Sequence, residues 1–134
     1  MGGSATGGAV LTVVGSGTLL PDAERGSASF HLQVGGHSLL LDAGPGTLHG
    51  LPRAGISWRG IDTLAISHFH PDHIGDVPAL LAAYRFGELT APLTVVGPQG
   101  LEDLLERMAA LHGEWILKPS RPLTIIELGP GEGW

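Results

Sequence analysis

Short apolar runs of strand size, separated by stretches whose apolar positions recur at helical spacing and punctuated by glycine and proline, constrain this chain more than any other feature. A chain patterned in this way folds as a layered α/β domain (α+β in some schemes), because a sheet buries its apolar face against helices laid across it. The pattern predicts strands over 9–14, 27–34, 37–42, 61–67, 93–96 and 123–128, and helices over 46–54, 76–86 and from 99 or 100 to 112. Strands 27–34 and 37–42 make a hairpin through Gly35-Gly36, since glycine suits the positive φ of a two-residue turn. Gly55 and Gly87 close the first two helices. No run approaches the roughly twenty apolar residues that cross a bilayer, so the expectation is a protein in solution with no membrane partner. Residues 1–8 are a Gly/Ser/Ala/Thr stretch without a basic start or an apolar core, and read as a disordered leader. Residues 9–134 are expected to form one unit, within the usual size of a domain.

His68-Phe69-His70-Pro71-Asp72-His73 packs three imidazoles and a carboxylate directly after the apolar run 61–67. Imidazole nitrogen and carboxylate oxygen suit borderline cations, zinc above all, with manganese or iron as substitutes. Along an extended chain, side chains two apart point the same way, so His68 and His70 can grip one ion together while Phe69 faces the core. Pro71 holds His70 extended and ends the strand in a rigid turn, bringing Asp72 and His73 to a second position beside the first. One loop can therefore serve two metals. Asp42, at a strand end, is either a hydrogen-bonding partner behind the ligand loop or a helix cap, and the sequence leaves both open. His31, His37, His49 and His112 read as surface or hydrogen-bonded core residues. Gly15-x-Gly17 lacks the third glycine of a dinucleotide fingerprint, with Leu20 in its place, and Pro21 blocks an immediate helix, so it reads as a loop. Gly97-Pro98-Gln99-Gly100 reads as a strand-to-helix turn rather than an anion cradle.

His68-x-His70-x-Asp72-His73 resembles the His-x-His-x-Asp-His motif of the metallo-β-lactamase fold hydrolases, in the same setting of a preceding apolar strand and a following Gly75 and helix. Leu41-Asp42-Ala43-Gly44-Pro45-Gly46-Thr47 resembles the Asp-Cys-Gly-Glu-Gly-Thr segment of the ribonuclease Z branch. Gly15-Ser16-Gly17-Thr18, followed by Pro21, Arg25 and Ser29, is similar to that branch's N-terminal Gly-rich loop. The similarity spans residues 9–128; Ala43 and Pro45 depart from the ribonuclease pattern, which bears on tRNA processing and leaves the superfamily intact.

The resemblance implies the N-terminal half of a four-layer αβ/βα fold, a mixed sheet with helices on one face. It implies zinc, two ions per complete site, with His68, His70, Asp72 and His73 as ligands and Asp72 also a candidate general base. The implied activity is hydrolysis by a metal-activated hydroxide, with a phosphodiester substrate in the ribonuclease-like branch; a small-molecule substrate remains open. Family members complete the site with a histidine, a bridging aspartate and a final histidine from the second half of the domain. Residues 9–134 offer no counterpart, because His112 lies in a helix-like run outside the expected glycine-rich context. Two readings follow. One is a phosphodiesterase-like metal hydrolase; the other is a non-catalytic half-domain fragment whose uncovered sheet face makes it a homodimer.

Charge separates the partner classes further. The net charge is −6, and Lys118 is the one lysine. Nonspecific nucleic-acid binding rests on clustered lysine and arginine, so a nucleic-acid partner is compatible with this chain but unsupported by its charge. Cysteine is absent, which removes disulfides and thiolate ligands and fits a reducing cytoplasm.

Overall fold

Gly35 and Gly36 take φ values of 56° and 83°, the positive pair a tight hairpin turn requires. That turn pairs β2 (Ser29–Val34) antiparallel with β3 (His37–Leu41), and β1 (Val10–Gly15) adds antiparallel to the far side of β2. On the other side β4 (Thr63–Ala65), β5 (Leu93–Pro98) and β6 (Leu123–Leu128) follow β3 in parallel, so strand order in the sheet is the order in the chain. The computed structural model describes residues 7–134, so the leader expected over residues 1–8 lies mostly outside the described residues.

Parallel strands that step in one direction with right-handed crossovers put all their connections on one face. Those connections carry α1 (Thr47–Arg53), the single turn α2 (Pro71–Ile74), α3 (Val77–Phe86) and, before β6, α4 (Leu101–His112). Leu40, Leu64 and Val95 pair across β3, β4 and β5 and are fully buried. They share one core with Leu51 of α1, Leu80 and Tyr84 of α3, and Leu101 and Leu105 of α4. The α3 stripe Val77, Leu80, Leu81, Tyr84 follows the 3.6-residue period, and burying each such side chain contributes roughly 1.5–3 kcal/mol. The result is a mixed sheet with helices on one face.

The opposite face is apolar too. Register places Leu11, Leu32 and Leu39 in one row and Val13, Phe30, Leu41, Ala65, Val96 and Ile126 in the next. The helix-side core takes in none of them, and Leu11 and Val13 are 60% and 56% exposed.

Two expectations need correction. The strand expected over 61–67 keeps its ladder only at Thr63–Ala65. The Ile66 amide still donates to the Val96 carbonyl at 2.7 Å, but the Ser67 amide turns to the Asp42 carboxylate at 2.7 Å, so a side chain takes over where the neighbouring strand leaves off. The turn expected at Pro71 is a helical turn, in which proline at the first position gives up nothing because that N–H has no partner inside a helix. Short 3-10 turns at Trp58–Gly60 and Glu114–Ile116 were not anticipated, being too brief to leave a period in the sequence. The remaining boundaries shift by two residues or fewer. At the start of α4 the Gly100 and Glu102 amides donate to Glu127 Oε1 at 3.1 and 2.9 Å. The turn at 97–100 thus faces an anion after all, and the chain supplies it from β6.

Candidate metal centre

β3 ends at Leu41, and Asp42 leaves it with φ 59°. A left-handed backbone costs roughly 1–2 kcal/mol for a residue with a Cβ, and aspartate is among the few that visit it because its short side chain can bond locally. Here five hydrogen bonds hold it. The Asp42 amide donates to the Ala65 carbonyl at 2.8 Å, and Ser29 Oγ donates to the Asp42 carbonyl at 3.0 Å. The carboxylate, in a residue 7% exposed, accepts the Ser67 amide on Oδ1 at 2.7 Å, and Ser67 Oγ and His73 Nδ1 on Oδ2, each at 2.6 Å. The Asp42 carboxylate thus bonds the 67–73 segment and caps no helix. In the first turn of α1 the Leu48 amide donates instead to Asp76 Oδ2 at 3.0 Å.

Segments 42–47 and 72–76 are laced together by backbone. The Ala43 amide donates to the His73 carbonyl at 2.8 Å, and the Asp76 amide returns to the Ala43 carbonyl at 2.9 Å. A Cβ on Gly44 would stand 2.0 Å from the Asp72 carbonyl oxygen, and one on Gly75 would meet the Pro45 ring at 2.7 Å. Glycine at 44 is therefore a condition for placing Asp72.

The three motif imidazoles converge. The His68 ring centroid lies 4.7 Å from that of His70 and 4.0 Å from that of His73. His73 Nε2 is 3.5 Å from Asp72 Oδ2, and His68 Nδ1 is 2.9 Å from Ser67 Oγ. His70 sits at φ −65°, ψ 147°, the extended geometry its neighbour Pro71 favours, and Phe69 packs against the core as expected. Because His73 Nδ1 bonds Asp42, its Nε2 is the nitrogen left for a cation, the arrangement usual behind metal-binding imidazoles. This donor chemistry fits a borderline cation such as zinc. Among the described residues no group of three or more His, Asp or Glu side chains is arranged, as it stands, to hold one ion. Two donors apiece from His68–His70 and Asp72–His73 fall short of the three or four that close a zinc site.

The remaining histidines stay apart from this cluster. His31 is 6% exposed with Nε2 2.7 Å from Ser38 Oγ, and burial holds its imidazole below the ordinary value. His37 is exposed beside Asp62, and His49 and His112 are exposed on helices. Ser67 and Asp76 were not anticipated. Ser67 could have been noticed as a hydroxyl directly before the motif, whereas Asp76 looked like the start of its own helix and its bond to α1 depends on the tertiary fold. A cavity of about 690 Å³ lies between loop 15–27 and α1, with Arg25, His49 and Arg53 on its wall. Gly15 and Gly17 serve that loop as close-approach positions: a Cβ on Gly15 would lie 2.0 Å from the Ser27 carbonyl oxygen.

The sequence model of the metallo-beta-lactamase superfamily matches residues 23–134. The chain belongs to this superfamily. Within it, the chain is similar to a ribonuclease Z of Agathobacter rectalis, 35% identical over 104 residues that make up 78% of this chain and 34% of the relative. It is similar also to a ribonuclease Z of a Mycobacterium species, 32% identical, covering 92% of this chain and 47% of the relative. Among solved structures, human tRNase Z, short form, superposes with a TM-score of 0.76 at 30% identity, over 90% of this chain and 46% of that one. The Bacillus subtilis metallo-beta-lactamase fold protein YhfI superposes with a TM-score of 0.71 at 22% identity, over 91% and 47%, a likeness of fold. This superfamily member thus spans less than half the length of these relatives. Among the described residues no helix is long and apolar enough to cross a membrane.

Proposed function

We propose that this chain carries the histidine-rich part of a two-metal hydrolytic centre acting on phosphodiesters, in the manner of a ribonuclease Z. The observation that carries the reading is the convergence of His68, His70 and His73, with His73 bonded directly to the buried Asp42 carboxylate and His68 reaching it through Ser67. In this reading His68 and His70 hold one cation, Asp72 and His73 hold the second, and zinc is the preferred ion with manganese or iron as substitutes. Such cations, when bound, supply a water of lowered pKa and neutralise charge at a phosphoryl oxygen. Asp72 adjoins His73 Nε2, which suits it to orient an attacking water and accept its proton. Asp42 holds His73 directly and His68 through Ser67, and stays out of the reaction. RNA is the substrate class suggested by the ribonuclease relatives, although the charge of this chain gives it no independent support. A cysteine-free sequence agrees with a cytoplasmic location.

Hydrolysis of a chromogenic phosphodiester with added zinc or manganese tests the assignment. In protein that also supplies the remaining donors of both cations, the expected result is turnover that disappears in both His68→Ala and Asp72→Ala; turnover that persists in both would belong to something other than this site.

A second reading is favoured by the uncovered sheet face that bears Leu11, Val13, Phe30 and Leu41. By it, this chain alone is non-catalytic and pairs with a second copy. Contiguous apolar patches larger than a few hundred Å² are rare on monomers, and at roughly 25 cal/mol per Å² each hundred Å² buried between two copies is a driving force of about 2.5 kcal/mol.

A further inference from the structure

Ser67 Oγ stands between the Asp42 carboxylate and the His68 ring, 2.6 Å from Asp42 Oδ2 and 2.9 Å from His68 Nδ1. A serine hydroxyl carries one hydrogen and two acceptor lone pairs, while a carboxylate only accepts. At 2.6 Å the two oxygens must share a hydrogen, and only the hydroxyl can provide it. Its single hydrogen spent there, Ser67 Oγ can meet His68 Nδ1 only as an acceptor, so the neutral ring must carry its hydrogen on Nδ1. The alternative, in which the hydroxyl donates to His68 Nδ1, leaves two bare acceptor oxygens in contact beside a buried carboxylate. His73 is set in the same sense without an intermediary, since its Nδ1 lies 2.6 Å from the same Oδ2.

We propose that Ser67 is a positioning residue that relays Asp42 to His68, fixing the Nδ1–H tautomer there, so that one carboxylate orients two imidazoles with their Nε2 lone pairs free. The Ser67 amide bond to Asp42 Oδ1 at 2.7 Å pins the hydroxyl in this bridge. The use of that lone pair as a metal donor rests on the function proposed above; the tautomer does not, and the two are read out separately.

Long-range ¹H–¹⁵N correlation of the histidine rings reports the tautomer in the metal-free protein, at a pH above imidazole titration. The wild type is expected to show Nδ1–H at both His68 and His73. In Ser67→Ala, His68 should shift to a mixture with the Nε2–H form while His73 stays unchanged, and Ser67→Thr should restore the wild-type pattern. An Nε2–H His68 in the wild type overturns the relay without any variant being needed. So does an unchanged His68 in Ser67→Ala, or a parallel change at His73, which would mean that Ser67 merely holds Asp42 in place. Zinc affinity then tests the donor role: a loss of about 10–100-fold in Ser67→Ala supports it, as removal of a group behind a ligand usually does. A tautomer change with zinc affinity untouched keeps the relay and refutes His68 as a metal donor.

Discussion

At residue scale the centre depends on Asp42, and its backbone and its charge can be separated. Asp42→Ala keeps the left-handed strain and removes three acceptor contacts from a buried site, so it should lower stability by about 3 kcal/mol, the order of one or two charge-assisted hydrogen bonds. Asp42→Asn tolerates the same φ and retains one acceptor oxygen, so its loss should be smaller; urea unfolding midpoints rank the two, and equal losses would contradict the account. His31 supplies a pH dependence. Burial lowers its pKa, so below about pH 6.5 the unfolded chain takes up the proton first, and stability falls as pH drops from there toward the folded value. Above pH 6.5 this contribution is fully present. His31→Gln should flatten that part of the curve relative to wild type; curves that remain parallel would show that His31 titrates as in the open chain. The spacing of His68, His70, Asp72 and His73 was legible because it is covalent, and an extended chain with one proline allows few ways to arrange it. Asp42 was half-legible, its strand-end position visible but its partner not, because His73 lies thirty-one residues away in sequence. Ser67 was legible only as a hydroxyl directly before the motif; a serine there is ordinary, and the 2.6 Å and 2.9 Å contacts are what distinguish it.

At element scale the centre is a joint between the ends of β3 and β4, and Gly44 is its tightest point. A methyl group there would have to displace the backbone carbonyl of Asp72, which flexible side chains cannot absorb. Gly44→Ala should therefore destabilise by about 3 kcal/mol or more, at the upper end of overpacking. A urea midpoint shift worth under about 1 kcal/mol would mean that the two segments are less closely laced than described. The alternating elements were readable from period, because α3 and α4 each keep a regular apolar stripe and the Gly35-Gly36 turn has few alternatives. What could not be read was where regular structure stops near the motif. The β4 ladder ends early because Asp42 captures the Ser67 amide, and α2 forms where a proline suggested only a turn. The first follows from a contact that no local window contains; the second rests on bonds within residues 70–75, where a proline suits the first position of a helical turn as well as a plain turn.

For the whole molecule, two faces of one sheet have opposite fates. Helices bury the side carrying Leu40, Leu64 and Val95, while the side carrying Leu11 and Val13 is left to water. Sedimentation at micromolar concentration should show a dimer that Leu11→Asp with Val13→Asp converts to monomer; a clean wild-type monomer would contradict pairing of copies through this face. The likeness to ribonuclease Z covers most of this chain and less than half of the length of those relatives. The central claim, that the imidazoles gathered over Asp42 exist to hold a cation, meets its most direct test in a zinc titration against a chromophoric chelator. The account predicts measurable zinc uptake by the wild type, weakened about 10–100-fold in Asp42→Ala and abolished when His68 and His73 are both replaced by alanine. Equal zinc affinity in all three proteins would contradict it.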